Sequence, residues 1–164
     1  MKLLNWVQKA LASVFFIGYI PWMPGTIGSA LVVAALWYLR FRFHVTLPPQ
    51  SWWIIAFCLS AFSVAVSSRP REVFGHEDPK PVIIDECAGQ FITFLFIPLT
   101  VRTLVLGFLV FRFFDIIKPF PVYKMEELES GLGITMDDVV AGVYANICLV
   151  GILWVYYWIS VWLH

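Results

Sequence analysis

Residues 87–117 read CAGQFITFLFIPLTVRTLVLGFLVFRFFDII, and how this run divides decides the fold. It is too long for one comfortable helix and carries Pro98, Thr100 and Arg102 near its middle. A proline inside a helix removes a hydrogen bond and clashes with the preceding turn. The run therefore reads as two short helices, Cys87–Leu99 and Thr103–Ile117, joined by a tight turn. Such a pair leaves one face of a layer and comes back to it.

The layer is a membrane. Of 164 residues, 60% are hydrophobic and 18% aromatic, and mean hydropathy is +0.82. Charged residues make up 13%, where a soluble domain carries about 25%. Further apolar stretches run over Thr26–Tyr38, Trp52–Val66 and Val139–Leu163. Only the last clearly reaches the roughly 20 residues of an untilted span, so the others are short or tilted helices. The expected fold is all-α: one domain over residues 1–164, a small polytopic bundle of about five short spans. An amphipathic or re-entrant helix precedes it within the first 23 residues. Lys2 and Lys9 before ALASVFFIGYI resemble a signal peptide, but Pro21–Pro24 offers no small-residue cleavage site, so this segment reads as retained. Zero net charge gives no electrostatic case for nucleic acid as a partner. Cys58, Cys87 and Cys148 lack paired ligand spacing and read as apolar packers.

Counting crossings from the Pro24–Ser29 turn puts residues 67–86 and 118–138 on one side. All 11 acids then fall on that side, Asp115 at a helix end facing it. Lys2, Lys9, Arg69, Arg71, Lys80, Lys118 and Lys124 lie there too, against Arg40, Arg42 and Arg102 opposite. An excess of Lys and Arg marks the cytoplasmic side.

Four clusters meet on this face. PGTIGS (24–29) has Gly25 and Gly28 to free the backbone, hydroxyls on Thr26 and Ser29, and a helix start behind them. That suits a phosphate, or equally a plain turn and N-cap where the chain meets the membrane. In GHEDPKPVIIDECAG (75–89), His76 is a candidate general acid or metal ligand, and Asp85 and Glu86 are candidate ligands. Adjacent acids on a helix point about 100° apart, so they bridge two metals, or one binds while the other orients water. The bland alternative is a solvated helix start favoured by the macrodipole, and Glu77 and Asp78 are read that way. RFFDIIKPFP (112–121) sets Arg112, Asp115 and Lys118 on one stripe of an apolar helix. They form either an internal ion pair with a snorkelling lysine, or a metal ligand flanked by two phosphate-gripping cations. GLGITMDDVVAG (131–142) places Asp137 and Asp138 at the start of the last helix, as caps or as further ligands. Crowded carboxylates either take up protons or bind divalent cations, and oxygen-rich clusters that also receive phosphate suit Mg²⁺. MEELESG (125–131) reads as a solvated helical face.

In order and spacing, PGTIGS, HED…VIIDECAGQ, RFFDIIKPFPV and GLGITMDDVVAG resemble the bacterial phosphatidylglycerophosphatase A family, over roughly residues 21–146. The resemblance implies Mg²⁺-dependent hydrolysis of phosphatidylglycerophosphate to phosphatidylglycerol and phosphate at the inner membrane. Beside it, the residues suggest Asp85, Glu86, Asp137 and Asp138 as holders of one or two Mg²⁺, with Asp115 as a further ligand or base. Arg112 and Lys118 would bind the phosphate, Thr26, Ser29 and the Gly25–Gly28 backbone would cradle it, and His76 would protonate the leaving oxygen. An Asp nucleophile, most plausibly Asp85, stays open. A small ion-coupled transporter with an Arg112/Asp115 relay is the alternative from another class. It calls for polar residues through the full depth of the membrane, and here they stop at one end. A purely structural subunit gives no reason to gather the acids, and the Asp/Gly/Arg spacing of CDP-alcohol phosphotransferases is absent.

Overall fold

A computed structural model describes residues 2–76 and 79–163 of the chain. Glu77 and Asp78 lie outside them. Among the described residues the protein has eight α-helices, one 3-10 turn and no strand. In order these are α1 (Lys2–Ala12), the turn Ile17–Tyr19, α2 (Pro24–Arg42), α3 (Pro49–Val66), α4 (Pro70–Phe74), α5 (Ile84–Thr93), α6 (Val101–Ile117), α7 (Val122–Met125) and α8 (Ser130–Trp162). Proline opens α2, α3 and α4, where its missing N–H costs nothing and its fixed φ already suits a helix.

Three helices, α2, α3 and α8, are long and apolar enough to cross a membrane. The divided run behaves differently in its two halves. Thr100 caps α6: its hydroxyl accepts from the Thr103 N–H at 3.2 Å, and the Thr103 hydroxyl accepts from the Thr100 N–H at 2.9 Å. The break expected around Pro98 is present. However, the first arm is not Cys87–Leu99. It starts at Ile84 and ends at Thr93, only 10 residues, or about 15 Å of helix. Asn146 of α8 explains the early stop. Its side-chain amide donates to the Thr93 carbonyl at 3.0 Å and the Leu95 carbonyl at 2.9 Å. Carbonyls left over at a helix end need such donors, and each bond contributes about 1 kcal/mol net. The chain then coils through buried Phe94, Leu95 and Ile97 before α6 begins.

The last helix also differs from expectation. It starts at Ser130, nine residues before the apolar run Val139–Leu163, and extends for 33 residues. At 1.5 Å per residue that is about 50 Å, more than the roughly 30 Å of a hydrocarbon layer. Gly131 and Gly133 do not break it, because both are buried contacts: a Cβ on Gly131 would overlap the Val64 carbonyl, and one on Gly133 the Leu128 carbonyl. The buried positions of α8 all fall between Gly131 and Leu149, and its far end presents Trp154, Tyr156, Tyr157 and Trp162 outward.

α5 and α8 form the most extensive helix pair. Gly142 and Gly89 lie face to face, and a Cβ on Gly142 would overlap the Gly89 carbonyl. A Cβ on Gly89 would overlap the Asp138 carbonyl. Small residues let helix backbones approach this closely. The core beneath is Leu36, Trp52, Phe91, Phe94, Leu104 and Leu149, and a Ser63–Thr135 hydrogen bond of 2.8 Å ties α3 to α8. At the other end of the bundle, α1 and the 3-10 turn brace the approach to α5. The Ala12 carbonyl accepts from the Ile83 N–H at 3.0 Å, and Gly18 packs on the Pro81 carbonyl. Arg69 donates to Gln8 at 2.8 Å.

Candidate active site

The starts of α2, α5 and α8 and the ends of α3 and α6 meet around one cavity of about 920 Å³. Every acid among the described residues lines it. Arg40 and Arg42 sit at the far end of α2, and Arg102 at the far end of α6.

Asp85 and Glu86 occupy the first turn of α5. Asp85 is buried, and its Oδ1 accepts from the Glu86 N–H at 3.0 Å. Asp137 and Asp138 do not open the last helix as caps. They lie two turns inside α8, both buried, with the Asp137 Oδ1 accepting from the Asp138 N–H at 3.0 Å. The N-capping explanation therefore fails for this pair, because the helix begins well before it. The α5–α8 crossing brings Asp138 to Asp85 and Glu86. One carboxylate oxygen from each of the three lies within 4.8 Å of the others. Glu86 Oε2 and Asp138 Oδ1 are buried with no hydrogen-bond partner. Buried carboxylate oxygens without donors are costly, and three such groups repel one another unless a cation or protons intervene. An all-oxygen donor set with orphaned oxygens fits a hard divalent cation.

The cations stand beside this trio. Arg112, on α6, forms an ion pair with Asp115 one turn on. It also reaches Ser29 Oγ of α2 at 3.5 Å, and its Nε is buried without a partner. Lys118 ends α6 in a left-handed conformation (φ 46°). Its Nζ donates to Asp137 at 2.8 Å and lies 3.4 Å from Glu126. Burial lowers the basicity of Lys118, but the bond to Asp137 and the charges of Asp137 and Glu126 outweigh it and hold the ammonium above its ordinary range. Asp115 and Asp137 are thus each occupied by a cation of this chain and stand outside the close trio.

PGTIGS is not a loop. Pro24 starts α2, so Gly25 and Gly28 lie in its first turns. Their lack of a side chain makes room: a Cβ on Gly25 would overlap the Glu86 carboxylate, and one on Gly28 would sit 2.9 Å from the Ile83 carbonyl. Ser29 is buried and donates to the Gly25 carbonyl at 3.0 Å, away from the cavity lining. Gly25 and Thr26 do line the cavity, and Thr26 Oγ1 is buried with no partner. His76 is exposed and is not among the described residues lining the cavity. The segment read as a solvated helical face is a turn at the rim: Glu126, Glu127 and Glu129 all line the cavity. The sequence reading assigned no site role to Arg69, Arg71 and Lys80, which line it as well. Their clustering before DECAG was the available signal.

A family model described as Phosphatidylglycerophosphatase A matches residues 10–153. A Bacteroides thetaiotaomicron protein, provisionally named a phosphatidylinositol-3-phosphatase, is 34% identical over 94% of this chain and 99% of its own length. Phosphatidylglycerophosphatase A of Escherichia coli K12 is 32% identical over 81% of this chain and 76% of its own. The Haemophilus influenzae protein of the same name is 45% identical over 48% of this chain and 49% of its own. No solved structure matches.

Proposed function

Because the chain belongs to the phosphatidylglycerophosphatase A family and is therefore a phosphatase, we propose that it cleaves phosphatidylglycerophosphate to phosphatidylglycerol and phosphate with Mg²⁺. The observation that carries the metal requirement is the convergence of Asp85, Glu86 and Asp138, two of them with orphaned oxygens, at the floor of a cavity that also holds Arg112 and Lys118. Asp137 and Asp115 complete the proposed set one step further out, each through the cation it pairs with.

In this reading Asp85, Glu86 and Asp138 hold the metal, which when bound neutralises phosphoryl charge and acidifies a water. Arg112 binds and orients the phosphate with its unpartnered Nε side, while Asp115 fixes the guanidinium. Lys118 offers a second positive charge, held in place by Asp137. The first N–H groups of α2 at Gly25 and Thr26, with the Thr26 hydroxyl, face the same anion. Water adds to phosphorus, the bond to the glycerol oxygen breaks, and that oxygen takes a proton. The exposed position of His76 favours cavity water over this histidine as the source. The transporter alternative gains no support from any of the relatives.

Finer placement belongs to the same proposal. α5 and α6 form a short out-and-back pair, making five membrane-inserted segments, and α1 lies on the membrane surface with Leu3, Leu4 and Trp6 turned outward. The basic excess on the cavity side orients the site to the cytoplasm of an inner membrane, where phosphatidylglycerol is made.

The test is phosphate release by purified protein from phosphatidylglycerophosphate and, given the named relative, from phosphatidylinositol 3-phosphate. It is run with Mg²⁺ or EDTA, for wild type and Asp85→Asn. Release from the first substrate that needs Mg²⁺ and disappears in a folded variant supports the reading. EDTA-resistant release sinks the metal site, and faster cleavage of the inositol lipid reassigns the substrate.

A further inference from the structure

The walls of the cavity are chemically unequal. The wall from the end of α3, α4 and the approach to α5 is polar, with Ser68, Arg69, Arg71 and Lys80. Where α2 meets α6, Met23, Pro24 and Ile116 line the cavity alongside the paired Arg112 and Asp115. Met23 and Ile116 are each 64% exposed, although they edge a cavity crowded with charge. Met23 is the N-cap of α2, one of the three candidate spans, and Ile116 stands in the last turn of α6. The two helices adjoin just inside this rim, where Arg112 reaches Ser29. Trp22 and Ile117 continue the exposed apolar surface on either side.

A large apolar side chain exposed at the mouth of a charged cavity calls for an apolar occupant. A diacyl phospholipid supplies one and imposes a constraint. Its reacting phosphate must reach Asp85, Glu86 and Asp138 while its acyl chains stay in hydrocarbon, so the lipid must cross a cavity wall. Drawing it past the arginines and lysine of the α3–α4 wall would strip them of water with nothing in return. Resting on the phosphatase reading, we infer that the diacylglycerol end of the substrate leaves the cavity between Met23 and Ile116, and that these two residues select a lipid over a soluble phosphomonoester.

The experiment compares kcat/KM of the full chain in detergent micelles for dioleoyl phosphatidylglycerophosphate and for the same headgroup without acyl chains, glycerophosphoglycerophosphate. Met23→Glu and Ile116→Arg put a charge where the acyl-bearing end passes, and the diacyl-to-deacylated ratio should fall about tenfold. Phe113→Arg places the same charge on exposed α6 surface outside the cavity lining and should leave the ratio unchanged. If the charged variants lose both activities through misfolding, Met23→Trp and Ile116→Trp decide the matter by bulk alone and should lower the ratio. An unchanged ratio in all Met23 and Ile116 variants overturns the inference, as does an equal fall in Phe113→Arg. If wild type cleaves both substrates and the ratio stays fixed, the portal alone fails. If it cleaves neither, the phosphatase reading fails and the portal with it.

Discussion

The chain contains two acid pairs that look alike and are placed differently. Asp85–Glu86 on α5 and Asp137–Asp138 on α8 are each adjacent acids, and in each the first Oδ1 accepts from the N–H of the second residue at 3.0 Å. Each pair is followed, four residues after one of its acids, by a glycine of the α5–α8 crossing, Gly89 or Gly142. Yet both acids of the first pair belong to the close trio, and only Asp138 of the second does. Asp137 points instead to Lys118. Neighbouring positions on a helix differ by about 100°, so a helix crossing presents one member of a pair to its partner and turns the other aside. On α5, which starts at the cavity, both acids still face it.

The largest effects are expected at the trio. Glu86→Gln and Asp138→Asn keep shape and remove charge, and each should cut Mg²⁺-dependent phosphate release about a thousandfold or more. Thermal unfolding in detergent should show both variants folded, and Mn²⁺ titration by electron paramagnetic resonance should show weakened metal binding. If Asp138→Asn retained wild-type turnover, the two pairs would have to be regrouped.

Next in size is the crossing that makes the pairs meet. Gly142→Val forces a side chain into the Gly89 backbone, and overpacking of this kind costs about 3 kcal/mol. The expected result is a lower unfolding temperature with activity lost in parallel. A Gly151→Val control, where nothing lies within 4 Å of an added Cβ, should change neither.

Asp137→Asn sharpens the difference within the second pair. In the proposed site its charge acts on the phosphate through Lys118, so activity should fall about tenfold. Lys118→Ala should cost somewhat more, and the double variant should cost no more than Lys118→Ala alone, since contacting residues couple. Full additivity in kcat/KM would instead make Asp137 an independent ligand.

Much of this is legible in the sequence. Hydropathy located the long helices, and the described acids do gather around one cavity, because charge in hydrocarbon is expensive wherever the helices happen to pack. Pro98 and Thr100 announced the divided run through local chemistry. What stayed hidden depends on partners distant in sequence. α5 stops at Thr93 because Asn146, on another helix, takes its carbonyls. Gly131 and Gly133 look like breakers but are contact points that let α8 start early. That early start turned Asp137 and Asp138 from apparent caps into interior residues, and the separation of their partners followed from it.

His76 gives the smallest expected effect and tests the boundary of the site from outside. On sequence it stands near Asp85 and has the chemistry of a general acid. Among the described residues, however, the cavity lining runs through Pro79, Lys80 and Val82 without it, and its side chain is exposed. A solvent-exposed substitution away from buried features changes energies by no more than about 0.5 kcal/mol. Because His76 stands outside the cavity lining, His76→Ala should leave kcat within about twofold. The pH profile discriminates further: a general acid at His76 would give a limb that disappears in the alanine variant. A large loss of kcat together with that limb would place His76 at the reacting oxygen during turnover. It would also make the leaving-oxygen proton the work of a side chain rather than of water.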